Sequence, residues 1–295
     1  MSKPKVIMTC LGYLTGQNYE SRKDNVIKSL TSLKPFLDGN EIELIFIDNC
    51  EDNNSHLNIK SLVNELFPDK HPSILSLHNQ WYDIAAHYVA YLVAKRKGVD
   101  YFIYTYDDFV YYDTSFIQDS IDFMNDHISV ACIRLTEYDI STRWYYDSAI
   151  TPKTENAESV SHNNANSGRV EHVGPFKHGD NIFYESNWHP TSRPAMWRTS
   201  AFESIIGMPE KSNVLQQFEK YMYDRSDEKT DWCSGFIDCG VCNTFPQDTS
   251  VRIASGIGIN KPSPLVNLKL LKDFIWEIEY SLLGHTVVKQ NLIEV

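Results

Sequence analysis

The chain has 295 residues, 42% of them hydrophobic, and a formal net charge of −12. That length and composition fit one large α/β domain, or one domain with an appendage, and exclude disorder over most of the chain. The acidic balance lacks the basic footprint of a nucleic-acid binder and disfavours a long duplex as partner without excluding nucleic acid. A small anionic ligand stays open, because a metal ion or a helix amino terminus supplies local positive charge.

The predicted elements alternate. Val6 to Leu11 reads as a short buried strand between Pro4 and Gly12. From Lys23 to Leu37, apolar residues at Val26, Ile27, Leu30, Leu33 and Leu37 keep helical spacing. Ile42 to Ile47 is a second buried strand that stops at Asp48-Asn49-Cys50-Glu51-Asp52-Asn53-Asn54. Leu57 to Phe67 reads as a helix ended by Pro68, and Ile74 to Leu77 as a third strand. Asp83 to Lys97 is the next helix, with Gly98 as its C-cap. Tyr101 to Tyr106 is a fourth strand running straight into Asp107-Asp108. A helix from Ser115 to Met124 and a fifth strand from Val130 to Leu135 follow. This rhythm predicts a mainly parallel sheet with helices on both faces.

Residues 150–187 are rich in Asn, Ser, His, Gly and Glu, show little periodicity, and read as a flexible loop or lid. Phe202 to Ile206 and Val214 to Tyr223 look helical, Val251 to Ile259 reads as a late strand, and Leu265 to Leu283 as a closing amphipathic helix. The expected organisation is one domain over 1–262 and a C-terminal helical extension over 263–295. The stretch MSKPKVIMTC is too short in apolar residues for a signal peptide, and no segment reaches the ~18 apolar residues of a membrane span. A soluble, cytoplasmic protein is expected. Cys239-x-x-Cys242, with Cys233 nearby, has metal-like spacing, but a structural zinc site wants four ligands, so buried reduced thiols are the preferred reading.

In an open parallel sheet, ligands bind outside the carboxyl ends of the strands. Three strands end in polar groups here: Thr9-Cys10, Asp48-Asn49 and Asp107-Asp108. Two adjacent carboxylates at the end of a buried strand repel each other. A divalent ion shared with substrate phosphates is one solution. A solvated turn in which Asp107 caps the next segment is the other. Asp48 suits a ribose hydroxyl or a base N–H, or an Asx-turn. Asn79 and Asp83 lie near the start of a helix that opens with two small residues, Ala85 and Ala86.

The order of these parts resembles the GT-A glycosyltransferases, the inverting family 2 in particular. The residues that carry the resemblance are Val6 to Thr9, Arg22, Ser29-Leu30-Thr31-Ser32-Leu33, Phe46-Ile47-Asp48-Asn49, Asn79 with Ala85, Ala86 and His87, and Tyr101 to Asp108. It covers residues 5 to 125 well and extends loosely to Pro194-Ala195-Met196-Trp197-Arg198 and Phe202, which look like the family's strand followed by R-x-x-F. Two departures stand out. The metal motif is usually Asp-x-Asp, and its first position here is Tyr106. The family's Gly-rich run is replaced by Trp81-Tyr82-Asp83.

The resemblance implies a GT-A, Rossmann-like fold and transfer of a sugar from a nucleoside-diphosphate sugar to an acceptor hydroxyl, with inversion. It implies that Thr9, Arg22, Asp48 and Asn79, with Asp83, bind the donor. Asp107 and Asp108 would hold the diphosphate through Mn²⁺ or Mg²⁺, and Lys261 would meet the diphosphate directly. The general base would be an acidic residue well after the metal motif. Asp227, Glu228 and Asp231 are the candidates, with Asp231 preferred because Trp232 beside it would stack on a sugar. His189 would face the acceptor or supply a further ligand. The alternatives are a sugar nucleotidyltransferase, against which Leu11-Gly12-Tyr13-Leu14-Thr15-Gly16 counts because it is no basic phosphate loop, and a catalytically inactive nucleotide- or carbohydrate-binding module on the same fold.

Overall fold

The computed structural model describes residues 5–12, 19–38, 42–49, 53–69, 72–76, 84–136, 159–161, 169–186, 190, 193–207, 215–216, 221–222, 225–226, 231–238, 240–244, 266–267 and 275. Strands β1 (Val6–Gly12), β2 (Ile42–Asp48), β3 (Ser73–Ser76) and β4 (Tyr101–Tyr106) alternate with helices α1 (Tyr19–Ser32), α2 (Lys34–Asp38), α3 (Asn53–Leu66) and α4 (Ile84–Lys97). After β4 come β5 (Phe109–Tyr111), α5 (Phe116–Asp126), β6 (Val130–Arg134), β7 (Ser159–Ser161), β8 (Arg169–His178), β9 (Asn181–Ser186), β10 (Ala195–Arg198) and α6 (Thr199–Ile205). The remaining strands are β11 (Leu215–Gln216), β12 (Cys233–Ile237), β13 (Cys242–Thr244) and β14 (Val266–Asn267).

Ten strands form one sheet in the order β3-β2-β1-β4-β10-β6-β12-β9-β8-β7. The first four are parallel, as expected, and β6 is parallel to β12. The expected α/β sheet flanked by helices is present, and antiparallel strands extend its parallel part. Strand β10 enters antiparallel between β4 and β6, and β9, β8 and β7 add antiparallel pairs at the far side. The sheet is therefore mixed. Because β10 reverses direction twice over, β6 and β12 point the same way as β1 to β4. The carboxyl ends of six strands thus share one edge.

Successive residues of a strand face opposite sides, and β1 divides accordingly. Ile7 and Leu11 join the core under α4 and α6. Val6, Met8 and Cys10 join the core under α1, α3 and α5. Both faces of β1 and β4 are covered, which is why their sequences are near-continuous apolar runs. Helix α4 is buried on every side from Ala86 to Ala94, the position expected of a helix apolar all round. It ends at Gly98, whose φ of 63° lets Val99 N–H reach back to Ala94 O at 2.8 Å.

Several local expectations change. The helix expected from Lys23 to Leu37 is two helices broken at Leu33, because Pro35 has no N–H to continue the ladder. Within the expected lid over 150–187, residues 169–186 form the β8–β9 hairpin around Gly179 and Asp180. Asp119 of α5 accepts from Asp180 N–H at 3.2 Å and Asn181 Nδ2 at 2.9 Å, and Phe123 stacks on Phe183 with centroids 4.7 Å apart. In the expected helix from Val214 to Tyr223, Leu215–Gln216 is extended and pairs with Val266–Asn267, which in turn interrupts the expected closing helix. The late strand from Val251 to Ile259 lies outside the described residues. Among the described residues no helix is long and apolar enough to cross a membrane.

The thiols are core groups. Cys233 opens β12 and Cys242 opens β13, so the whole of β12, about 13 Å at ~3.3 Å per residue, lies between them. They do not converge as a zinc site would, and Cys239 lies outside the described residues. Burial pushes the Cys132 thiol from 9.0 up to about 12. It also raises Cys10, Cys242 and the phenols of Tyr88 and Tyr111. Each keeps its proton in the folded chain at a pH where the unfolded chain has released it. Stability is therefore intact below the ordinary thiol value and falls as pH rises above it. The urea midpoint should hold from about pH 7 to 8.5 and decline steadily towards pH 11. A midpoint that stays level to pH 11 would contradict this burial.

Candidate functional site

The site is built where β1, β2 and β4 end. Gly12 is in register with Asp48, and Leu11 with Tyr106. The ladder continues one step past each strand: Asn49 N–H donates to Gly12 O at 3.0 Å, and Asp107 N–H to Leu11 O at 2.9 Å. The tips carrying Asp48 and Asp107-Asp108 are thus pinned to either side of β1. At ~4.8 Å between neighbouring strands the two tips stand roughly 10 Å apart, with the end of β1 between them. Gly12 sits in the middle because a Cβ there would collide with the Phe46 ring.

Helix α1 holds the acidic turn in place. Arg22 Nη2 donates to Asp107 Oδ1 at 2.9 Å, with both side chains at least nine-tenths buried. One helical face continues the clamp. Val26 packs in the core below, Ser29 Oγ donates to Phe109 O at 2.6 Å, and Ser32 Oγ accepts from Tyr111 N–H at 3.0 Å. The cation that offsets Asp107 is therefore a guanidinium of the chain itself. Asp108 follows at 6% exposure. Beneath the turn, burial and then the charges of Asp107 and Asp108 raise the Cys10 thiol well above its ordinary range, so it serves as a neutral core group.

The remaining expected residues divide. Asp48 and Asn49 reach the edge, both buried. Thr9 does not: β1 runs on to Gly12, so Thr9-Cys10 lies inside the strand. Thr9 Oγ1 donates to Ala86 O at 3.0 Å and ties α4 to the sheet. Asp231 and Trp232 precede the amino end of β12, and Cys233 pairs with Val130 at the start of β6. They sit at the edge opposite Asp107 and Asp108, which corrects their placement as base and acceptor platform. Asn79, Asp83, His189, Asp227, Glu228 and Lys261 lie outside the described residues.

The sheet brings other polar groups to the edge that the sequence reading missed. Arg134 closes β6, and Asp238 follows the carboxyl end of β12 with its N–H on Ile182 O at 2.8 Å. Gly240, with φ of 65°, then turns the chain back so that β13 pairs with β5 beside the acidic turn. The signal in the sequence for Arg134 and Asp238 is a charged residue at the end of an apolar run, the same feature that marks Asp48 and Asp107.

Among the described residues no group of three or more His, Cys, Asp and Glu side chains is arranged to hold a metal. Mg²⁺ and similar ions are commonly bound by one or two carboxylates together with substrate phosphates. With Asp107 engaged by Arg22, the turn fits an ion that arrives with a diphosphate and is met by Asp108, not an ion caged by protein alone.

No protein-family model matches the chain, and no curated protein matches it. Solved structures similar to it include residues 1–349 of S. aureus TarS, at 12% identity and a TM-score of 0.45, over 93% of this chain and 72% of that one. The chain spans 43% of a longer TarS chain. CMP:2-keto-3-deoxy-manno-octonic acid synthetase complexed with CTP aligns at 9% identity and a TM-score of 0.37, over 86% and 98% of the two chains. Mouse xyloside xylosyltransferase 1 in its apo form aligns at 11% identity and a TM-score of 0.34, over 68% of each. Likenesses at these scores establish neither a ligand nor a reaction.

The Arg22–Asp107 pair is open to direct measurement. Arg22→Met leaves a buried carboxylate without its cation and should cost about 3–5 kcal/mol in urea denaturation. Adding Asp107→Asn should recover part of that loss. A cost under about 1 kcal/mol would mean that the pair is screened like an ordinary surface bridge.

Proposed function

We propose that this chain is a nucleotide-sugar-dependent glycosyltransferase that moves a sugar from a nucleoside diphosphate to an acceptor hydroxyl with inversion. The observation that carries the proposal is the pinning of the Asp48 and Asp107-Asp108 tips to either side of Gly12 by backbone hydrogen bonds. That geometry sets a carboxylate suited to a ribose or base and an acidic turn on the same edge, with only the end of β1 between them.

In this mechanism Asp48 orients the nucleoside as a hydrogen-bond acceptor. Asp108, held rigid by α1 through its neighbour Asp107, would hold Mn²⁺ or Mg²⁺ together with the diphosphate, and the bound ion would supply Lewis-acid stabilisation of the departing charge. The acceptor oxygen attacks the anomeric carbon, the bond from that carbon to the diphosphate oxygen breaks, and the hydroxyl proton passes to a carboxylate on the opposite face. Asp238 is the carboxylate assigned to that proton, since it shares the edge and Asp231 does not. The buried packing around the turn keeps the acidic groups from reorganising as charge develops.

Thermal shift with UDP, GDP and CDP, each with and without Mn²⁺, tests binding. One diphosphate should stabilise the chain in a metal-dependent way, and Asp108→Asn should abolish the shift. In a donor-screening assay read by mass spectrometry, Asp238→Asn should lower kcat by about 10²–10⁴-fold, and Asp231→Asn should leave it near wild type. Binding without turnover towards any acceptor would favour an inactive binding module. A loss in Asp231→Asn as large as in Asp238→Asn would refute the assignment of the base.

A further inference from the structure

Strand direction brings Asp238 to the ligand edge, but direction alone does not hold it there. The strand before it ends at Ile237, and the backbone then turns, with Gly240 N–H on Ile237 O at 3.1 Å. Asp238 N–H donates to Ile182 O at 2.8 Å, one step beyond the pairing of Ile237 with Phe183. The segment that carries the assigned base is therefore fastened to the opening residues of β9.

Those residues leave a tight turn. His178 pairs with Asn181, and Gly179 and Asp180 between them are exposed. Asp119 of α5 lies against this turn. Its Oδ2 accepts from Asp180 N–H at 3.2 Å and from Asn181 Nδ2 at 2.9 Å. Gly179 has φ of 56°, and a Cβ there would stand 2.2 Å from Asp119 Oδ1. Glycine thus supplies both the backbone angle and the room for the carboxylate. Helical spacing repeats the contact along α5. Phe123 stacks on Phe183, and beyond it His127 Nδ1 lies 2.6 Å from Glu185 Oε1. One face of the helix meets alternate residues of β9, and Asp119 is its member at the ligand end.

The path from Asp119 to Asp238 is short. It runs from the carboxylate to Asn181, across one peptide bond to Ile182, and through a hydrogen bond to the Asp238 backbone. A general base must stay within hydrogen-bond reach of the proton it takes, and small displacements of such a group lower the rate steeply.

We infer that Asp119 is a positioning residue that fixes the 180–182 turn and, through Ile182 O, the backbone of Asp238. Its effect on turnover rests on the glycosyltransferase reading and on Asp238 as the base. The coupling between Asp119 and residue 238 is a prediction about the fold alone.

Amide exchange followed by NMR and the sugar-transfer assay, both on the intact chain, test it. Asp119→Ala should speed exchange at the amide of residue 238 and lower kcat about tenfold, with the donor KM unchanged. Asp119→Asn keeps an oxygen for the turn and should recover most of that loss. Gly179→Ala pushes the carboxylate away from the other side of the contact and should imitate Asp119→Ala. Asp122→Asn, at an exposed position of the same helix, should match wild type. Added to Asp238→Asn, Asp119→Ala should cost no further kcat, because both act through one group. A merely structural loss would add in full. Assays below the melting temperature of every variant keep unfolding out of the comparison. Wild-type exchange at residue 238 in both Asp119→Ala and Gly179→Ala, an unchanged kcat in Asp119→Ala, or full additivity with Asp238→Asn would overturn the inference. Faster exchange at residue 238 in variants of a chain that transfers no sugar would sink the glycosyltransferase reading and leave the coupling standing.

Discussion

A single buried ion pair sets the geometry of the whole edge. Asp107 and Asp108 end a strand with no water on either face, where two carboxylates would repel and turn outward. Arg22 reaches from the first turn of α1 to Asp107 and removes that repulsion within the protein. Ser29 and Ser32, about two and three turns further along the same helix, tie down the backbone that follows. The acidic turn is thereby fixed against β1, and Asp108 keeps one position relative to Asp48. A buried pair of this kind adds little net stability over an apolar replacement. Its retention is more simply explained by the orientation it imposes.

Much of the fold could be read from the residues. The runs Val6 to Leu11, Ile42 to Ile47 and Tyr101 to Tyr106 became parallel strands because both faces are covered, and an apolar run without alternation is what such burial requires. Gly98 ended α4 where expected, through a backbone angle that favours glycine. The tips at Asp48 and Asp107 were legible for the same reason: polarity breaks off an apolar run abruptly. Arg22 is marked by the resemblance as well, but its partner is not. Nothing in the spacing of residues 22 and 107 shows that the cation offsetting Asp107 would come from the chain itself.

What was not legible depends on pairing over long sequence distances. Strand direction cannot be read from an apolar run, so the antiparallel entry of Ala195–Arg198 between β4 and β6 was invisible, and with it the mixed sheet. Direction also decides which end of a strand faces the ligand. Asp231 and Asp238 flank the same five-residue strand, and only its parallel pairing with Val130–Arg134 puts Asp238 at the ligand edge and Asp231 at the other. The β8–β9 hairpin was hidden by its composition: one face packs Phe176 and Phe183 on α5 while Val173 and Lys177 stay exposed, so a polar segment passed for a loop. Arg134 does not stand out in the sequence because it lies within an otherwise apolar run, Val130 to Leu135.

Hydrogen–deuterium exchange with and without the stabilising nucleoside diphosphate addresses the central claim most directly. Protection should appear together at 11–12, 48–49, 106–109 and 134–136, four segments joined only by the shared edge. Protection confined to the amino ends of these strands, or to segments 231–233 without 106–109, would show that the ligand sits elsewhere and that the pinned acidic turn serves the fold alone.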